Sequence, residues 1–288
     1  MNKFTLANID TSFESYQQLI NLYNANKNNH FDTIKLDFQQ WFAANLSSAL
    51  GGVLDKLVSG YNTINFYNIP ASIETILRKN GFLSHFGFER QTDSYSTTIK
   101  YLKLKPTDGR FFRSYVTEEL LNRPELPNIT SALKKKITES IYEIFVNAKI
   151  HSETDFIYTC GQFFPKKHTI EFTVTDTGIG FKNRVNRRFH KNLSSVQAIT
   201  WAIRDKNSTK QDISGGIGLA ILREFVIRNQ GKIQIVSDDG FYQLDSYGEQ
   251  KKSFSGSFPG TVINMQFRTD DAASYALISE VPLDDDLF

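Results

Sequence analysis

The chain has 288 residues, of which 40% are hydrophobic and 22% charged, with a formal net charge of +2. That balance suits a globular protein with enough apolar mass for one large or two ordinary domains. It supplies no global field toward nucleic acid or an anionic membrane. The single cysteine, Cys160, excludes an internal disulfide and a thiolate metal cluster and fits a reducing cytoplasm. His30, His85, His168 and His190 stand singly, against a zinc site. The first residues lack a signal peptide's apolar core, and no run approaches the ~18 apolar residues of a membrane span.

Thr11, Ser12, Phe13 and Glu14 form a capping-box pattern, and Phe13, Tyr16, Ile20 and Tyr23 then recur at helical spacing. A strand is predicted over 33–38 and a helix over 46–58, with Asn45 or Ser47 as its cap. A second strand is predicted over 63–67, followed by a helix over 71–80 between Pro70 and Gly81. This alternation implies a small α/β domain. Residues 89–98 read as a polar link, and 111–127 as an irregular lead-in.

A helix over 137–151 follows. Ile137, Ile141, Ile144, Phe145 and Ala148 make its apolar face, while Glu139, Glu143, Asn147 and His151 stack four apart as a polar stripe. The stripe suits a solvated amphipathic surface, or the oxygens could serve a divalent cation and a water. Strands over 155–162 and 168–175 form a hairpin across Phe164-Pro165-Lys166-Lys167. The second ends in Asp176-Thr177-Gly178-Ile179-Gly180. The stretch 181–214 is basic at its start, carries a helix over 195–205, and is long enough to work as a lid. Apart from Val196, Ile199, Trp201 and Ile203, it has few apolar residues to hold it against a core. Ser214-Gly215-Gly216-Ile217-Gly218-Leu219 opens a helix over 216–229, and strands over 232–237 and 261–268 finish the sheet. The end, VPLDDDLF, reads as an acidic tail that either solubilises the chain or docks an apolar tip.

Each glycine stretch alone could be a turn. In order, Glu143/Asn147, the DTGIG run, the GGIGL run and the Gly260-Thr261 pair resemble the Bergerat-fold ATP-binding domain of the GHKL superfamily. The Glu-x-x-x-Asn-x-x-x-His helix is closest to the anti-sigma-factor kinase branch. Residues 1–97 bear a fainter resemblance to a STAS-like domain, in which Ser47 or Ser48 would fall near a phosphorylated serine; helix capping is the alternative for both. The resemblances imply a two-domain α/β protein: a STAS-like domain over 1–97, a lead-in over 98–127, a Bergerat sandwich over 128–270 with a mixed sheet covered by helices on one face and a lid over 181–214, and an acidic tail over 271–288.

By the same resemblance, Glu143 polarises the attacking water, and Asn147 is the Mg²⁺ ligand. Asp176 accepts the adenine amino group, with Thr261 beside it through a water. Gly178 and Gly180 let the chain pass close to the base. Gly215, Gly216, Gly218 and Leu219 present backbone N–H groups to phosphate. Lys210, with Ser208 and Thr209, reaches the γ-phosphate from the lid, as Arg187 and Arg188 would on closure. The cofactors implied are ATP and Mg²⁺. The implied function is an Mg-ATP-binding regulator that hydrolyses ATP or transfers its γ-phosphate, as an ATPase or an anti-sigma-type serine/threonine kinase, to switch a protein partner. The alternative is a nucleotide-sensing scaffold without turnover. A second copy of the chain is one candidate partner; a membrane or nucleic acid is not indicated.

Overall fold

Strand–helix alternation opens the chain, and it begins one strand earlier than periodicity indicates. The structure is a computed structural model that describes residues 2–151, 153–203 and 217–280. Strand β1 (Asn2–Ile9) precedes helix α1 (Phe13–Asn26), which Ser12 caps by accepting the Ser15 N–H. Strand β2 (Thr33–Phe42), helix α2 (Ser47–Val58), strand β3 (Thr63–Asn68) and helix α3 (Ala71–Lys79) follow. The three strands pair in the order β1-β2-β3, all parallel, because each connection is a helical crossover.

The second sheet contains β4 (Thr98–Leu104), β6 (Ile157–Phe164), β7 (Thr169–Asp176), β8 (Lys232–Asp245) and β9 (Gly248–Arg268) in the order β4-β6-β7-β9-β8. Between β4 and β6 the chain makes a two-residue strand β5 (Asn128–Ile129). All four pairings in the five-stranded sheet are antiparallel, which corrects the expected mixed sheet. The physical reason is connectivity: β6–β7 and β8–β9 are hairpins, and hairpins pair antiparallel.

Helices are not confined to one face of this sheet. On one side lie α4 (Gly109–Tyr115), α5 (Ser131–His151), α7 (Ser195–Ala202) and α8 (Ile217–Arg228), closing a core that includes Phe112, Ile141, Phe145, Phe172, Ile199 and Phe267. On the other side α1 and α2 fill the space between the two sheets. Leu50, Val53 and Tyr16 share one apolar cluster with Tyr158, Cys160, Phe254 and Val262. Glycine lets α2 come close: a Cβ on Gly52 would stand 3.0 Å from Thr177 Cγ2. Cys160 Sγ lies 2.9 Å from the carbonyl of Asn45, just before α2, and burial pushes its thiol up to about 12.

The lead-in over 111–127 is more ordered than expected. It continues α4 into a π-helical turn, Val116–Leu121, whose Val116, Leu120 and Leu121 are buried. Part of the stretch expected as a lid is also anchored. Helix α6 (Gly180–Phe189) and α7 bury Val185, Ala198 and Ile199, and Ser195 donates to Asp238 Oδ2 at 2.9 Å. The expectation of too few apolar anchors is thereby corrected for residues 181–203; residues 204–214 lie outside the described part. Strand β10 (Ser274–Tyr275) pairs with β5, and Tyr275 packs edge-on to Phe225 of α8, which corrects the expected tail for residues 271–280; residues 281–288 lie outside the described part. Among the described residues, no helix is long and apolar enough to cross a membrane.

Removing residues 1–97 would strip the apolar cover from Tyr158, Phe254, Phe258 and Val262. A fragment of residues 98–288 is therefore expected to lose its near-ultraviolet circular dichroism and bind a hydrophobic dye. Native-like spectra for that fragment would show that the sheet needs no cover.

Candidate functional site

On β7, Ile170, Phe172 and Val174 face the α5 side, so the alternation brings Asp176 to that same side. Its cross-strand partner on β9 is Thr261, and the partner of Thr261 on β8 is Ser237. The three make a polar row at the end of an apolar sheet face. Asp176 Oδ1 accepts the Gly178 N–H at 2.9 Å. Its second oxygen has no hydrogen-bond partner among the described residues. Burial raises the Asp176 carboxyl from 3.8 to about 6, against the lowering effects of the Gly178 N–H, Arg184 and Lys56. Burial also draws the Arg184 guanidinium on α6 down to about 10, an effect that Asp176 opposes.

Two glycines are required here. Gly260 has φ +141°, and a Cβ on it would fall 2.0 Å from the Asp176 carbonyl oxygen. Gly180 has φ +70°, where it turns the chain from β7 into α6, and a Cβ there would stand 2.9 Å from Ser237 Oγ. Thr177 N–H donates to Thr154 Oγ1 at 3.2 Å, fixing the start of the turn. Asp176, Gly178, Gly180 and Thr261, chosen from sequence, are thus brought together.

Glu143 and Asn147 both lie half-buried on α5, the helix that packs over this sheet face. Glu139 is held by Lys136 at 3.0 Å and faces outward, as the solvated reading of the stripe expects. His151 ends α5 and its side chain lies outside the described part. So do Lys210, Ser208, Thr209, Gly215 and Gly216; Gly218 and Leu219 fall within α8, and the Leu219 side chain is not described. Arg187 lies 4.0 Å from Glu153 on the surface. Among the described residues no group of three or more His, Cys, Asp or Glu could hold a metal.

Ser47 and Ser48 are fully buried, which corrects their place as candidate phosphosites. Ser47 Oγ accepts from Asn80 Nδ2 at 3.0 Å, and Ser48 Oγ donates to the Asn45 carbonyl at 3.1 Å. Neither side chain caps α2. Asn45 instead donates into the sheet, to Asn264 Oδ1 at 3.1 Å and Thr173 Oγ1 at 3.2 Å.

Ser237 is the site residue that sequence reading missed. The strand over 232–237 was legible, but its pairing with β9 sets what Ser237 faces. A separate polar cleft of about 660 Å³, lined by Arg90, Asp93, Glu118 and Arg123 among others, shares no residue with this site. No family model matches the chain, and no curated protein matches it either.

The raised Asp176 carboxyl fixes a sign. A folded-state value above the unfolded one favours folding below about 4, and that gain is lost as pH rises through about 6. Asp176→Asn, which keeps an oxygen for Gly178 N–H, should therefore stabilise the ligand-free protein above pH 6 by as much as roughly 3 kcal/mol. The advantage should vanish near pH 4. Urea denaturation at the two pH values checks it, and an equal effect at both would refute the burial argument.

Proposed function

We propose that the chain is an Mg-ATP-binding regulator of the GHKL type that hydrolyses ATP or transfers its γ-phosphate to switch a protein partner. The observation that carries the reading is Asp176: a buried carboxylate with one oxygen committed to Gly178 and the other uncommitted among the described residues. Such a group is an acceptor held ready for an amino group. Gly260 and Gly180 let the strand and the turn close tightly around Asp176, and Thr261 is its cross-strand neighbour. α5, which carries Glu143 and Asn147, packs its apolar residues on the same sheet face. The Bergerat reading of residues 128–270 draws support from this arrangement, and the strand–helix alternation of residues 2–79 supports a STAS-like N-terminal part.

Asn147 would hold Mg²⁺ through its amide oxygen, a neutral ligand that leaves coordination positions to water and phosphate oxygens. The metal, when bound, would neutralise charge on the phosphates. Glu143 is the group that can take a proton from an attacking water or hydroxyl. Asp176 orients the base and contributes nothing to bond breaking.

In Asp176→Asn the Gly178 N–H claims the amide oxygen and leaves an NH₂ facing the ligand, a donor against a donor. ATP affinity is expected to fall by at least ~1–3 kcal/mol in calorimetry; unchanged affinity in the folded variant would remove the pocket assignment. With γ-labelled ATP, Glu143→Ala is expected to bind but not turn over, and Asn147→Ala to lose Mg²⁺ dependence. Wild-type hydrolysis by Glu143→Ala would leave a nucleotide-sensing scaffold as the better reading.

A further inference from the structure

Ser237 is fully buried, and its hydroxyl meets three groups. It accepts the Phe181 N–H at 2.9 Å, lies 3.1 Å from Thr261 Oγ1, and lies 3.4 Å from the Gly260 carbonyl oxygen. A hydroxyl has a single proton to give. The Phe181 N–H can only donate, so the proton must go to one of the other two. If it went to Gly260, Thr261 would give its own proton to Ser237 and show the site only lone pairs. If it goes to Thr261, the Thr261 proton is released toward the space beside Asp176. The contact to Gly260 is long for an O–H···O bond, whereas that to Thr261 is much nearer the usual range. The second arrangement is therefore the better hydrogen-bonded one.

We propose that Ser237 is a specificity-determining positioning residue, which fixes the Thr261 hydroxyl as a donor next to the Asp176 acceptor. The site then offers an acceptor beside a donor. That order matches a base carrying an amino group next to an unprotonated ring nitrogen, as adenine does. It opposes a base carrying a carbonyl next to a ring N–H, as guanine does, where Thr261 meets the ring nitrogen directly. Because Ser237 also holds Phe181 N–H, the same side chain ties the glycine turn at the start of α6 to β9. The turn and the hydroxyl pair are set together. This inference rests on the nucleotide reading of the site.

The test is calorimetric titration of the full chain with ATP and with GTP, for wild type, Ser237→Ala, Thr261→Val and the double variant, with thermal melts to verify folding. Wild type should prefer ATP. Each single variant should lose roughly 3- to 10-fold in ATP affinity, the range for one lost hydrogen bond, and its ATP-over-GTP ratio should fall. The double variant should lose little more than the worse single one, since the two hydroxyls act as one relay. Should Ser237→Ala fail to fold, Ser237→Cys keeps the shape with a weak donor and carries the same expectation. An unchanged selectivity ratio in the folded variant, or fully additive losses, would overturn the proposal. If wild type binds neither nucleotide, the nucleotide reading falls and takes the relay with it. If ATP binding is abolished by Asp176→Asn yet remains selective in Ser237→Ala, the relay alone falls.

Discussion

A carboxylate sealed between two sheets constrains how the halves of this chain can meet. Glu171 lies on the middle strand β7 and is 4% exposed. Its Oε1 accepts from Thr11 at 3.1 Å and Gln266 at 3.0 Å, and its Oε2 from Asn264 at 2.9 Å and Asn45 at 3.5 Å. Two of these donors belong to the five-stranded sheet's own strand β9. The other two come from the β1–α1 and β2–α2 connections. A buried charge short of a donor costs more than a neutral one, so the N-terminal layer must seat with both connections in register. Apolar burial drives the two halves together; Glu171 selects the seating.

That seating reaches the opposite face. The odd-numbered residues of β7 are polar and belong to the seam, where Thr175 donates to Ser48 at 3.3 Å. The even-numbered residues end in Asp176. Strand β7 therefore carries the seam on one side and the candidate site on the other, separated by a single backbone. Gly52 of α2 lies against Thr177, the residue that starts the glycine turn. The back of the turn is a helix surface and not water, which is part of why Asp176 is buried deeply enough to hold its proton more tightly than an ordinary carboxylate.

Much of this was legible in the residues. Helical spacing identified α1 and α5, caps and glycines bounded α2, α3 and α8, α7 was read within the long stretch, and the β6–β7 hairpin followed from alternation around Pro165. The glycines marked the turn where Asp176 sits. Strand β1 was missed because its short alternation breaks near Asn8, where the pairing with β2 shifts register. The start of α6 was missed because its sequence, GFKNRVNRRF, offers a single buried apolar residue beyond its first turn, Val185. The overhanging ends of β8 and β9 were missed since their inner side packs on α1 through Phe13, stacked 4.4 Å from Phe254, a contact between residues far apart in sequence. Buried polar residues such as Thr173 and Asn264 look solvent-facing until the layer that covers them is placed. In each case the missing information was tertiary.

The thiol in the seam has a practical meaning. Cys160 is the chain's single cysteine, lies beneath the first residues of α2, and is too buried and too weakly acidic to react while the layers are joined. An alkylating reagent can reach it only when α2 lifts from β6. The protein thus carries its own clock for that separation: the rate at which the sulfur is modified, under native conditions, counts how often the two sheets part.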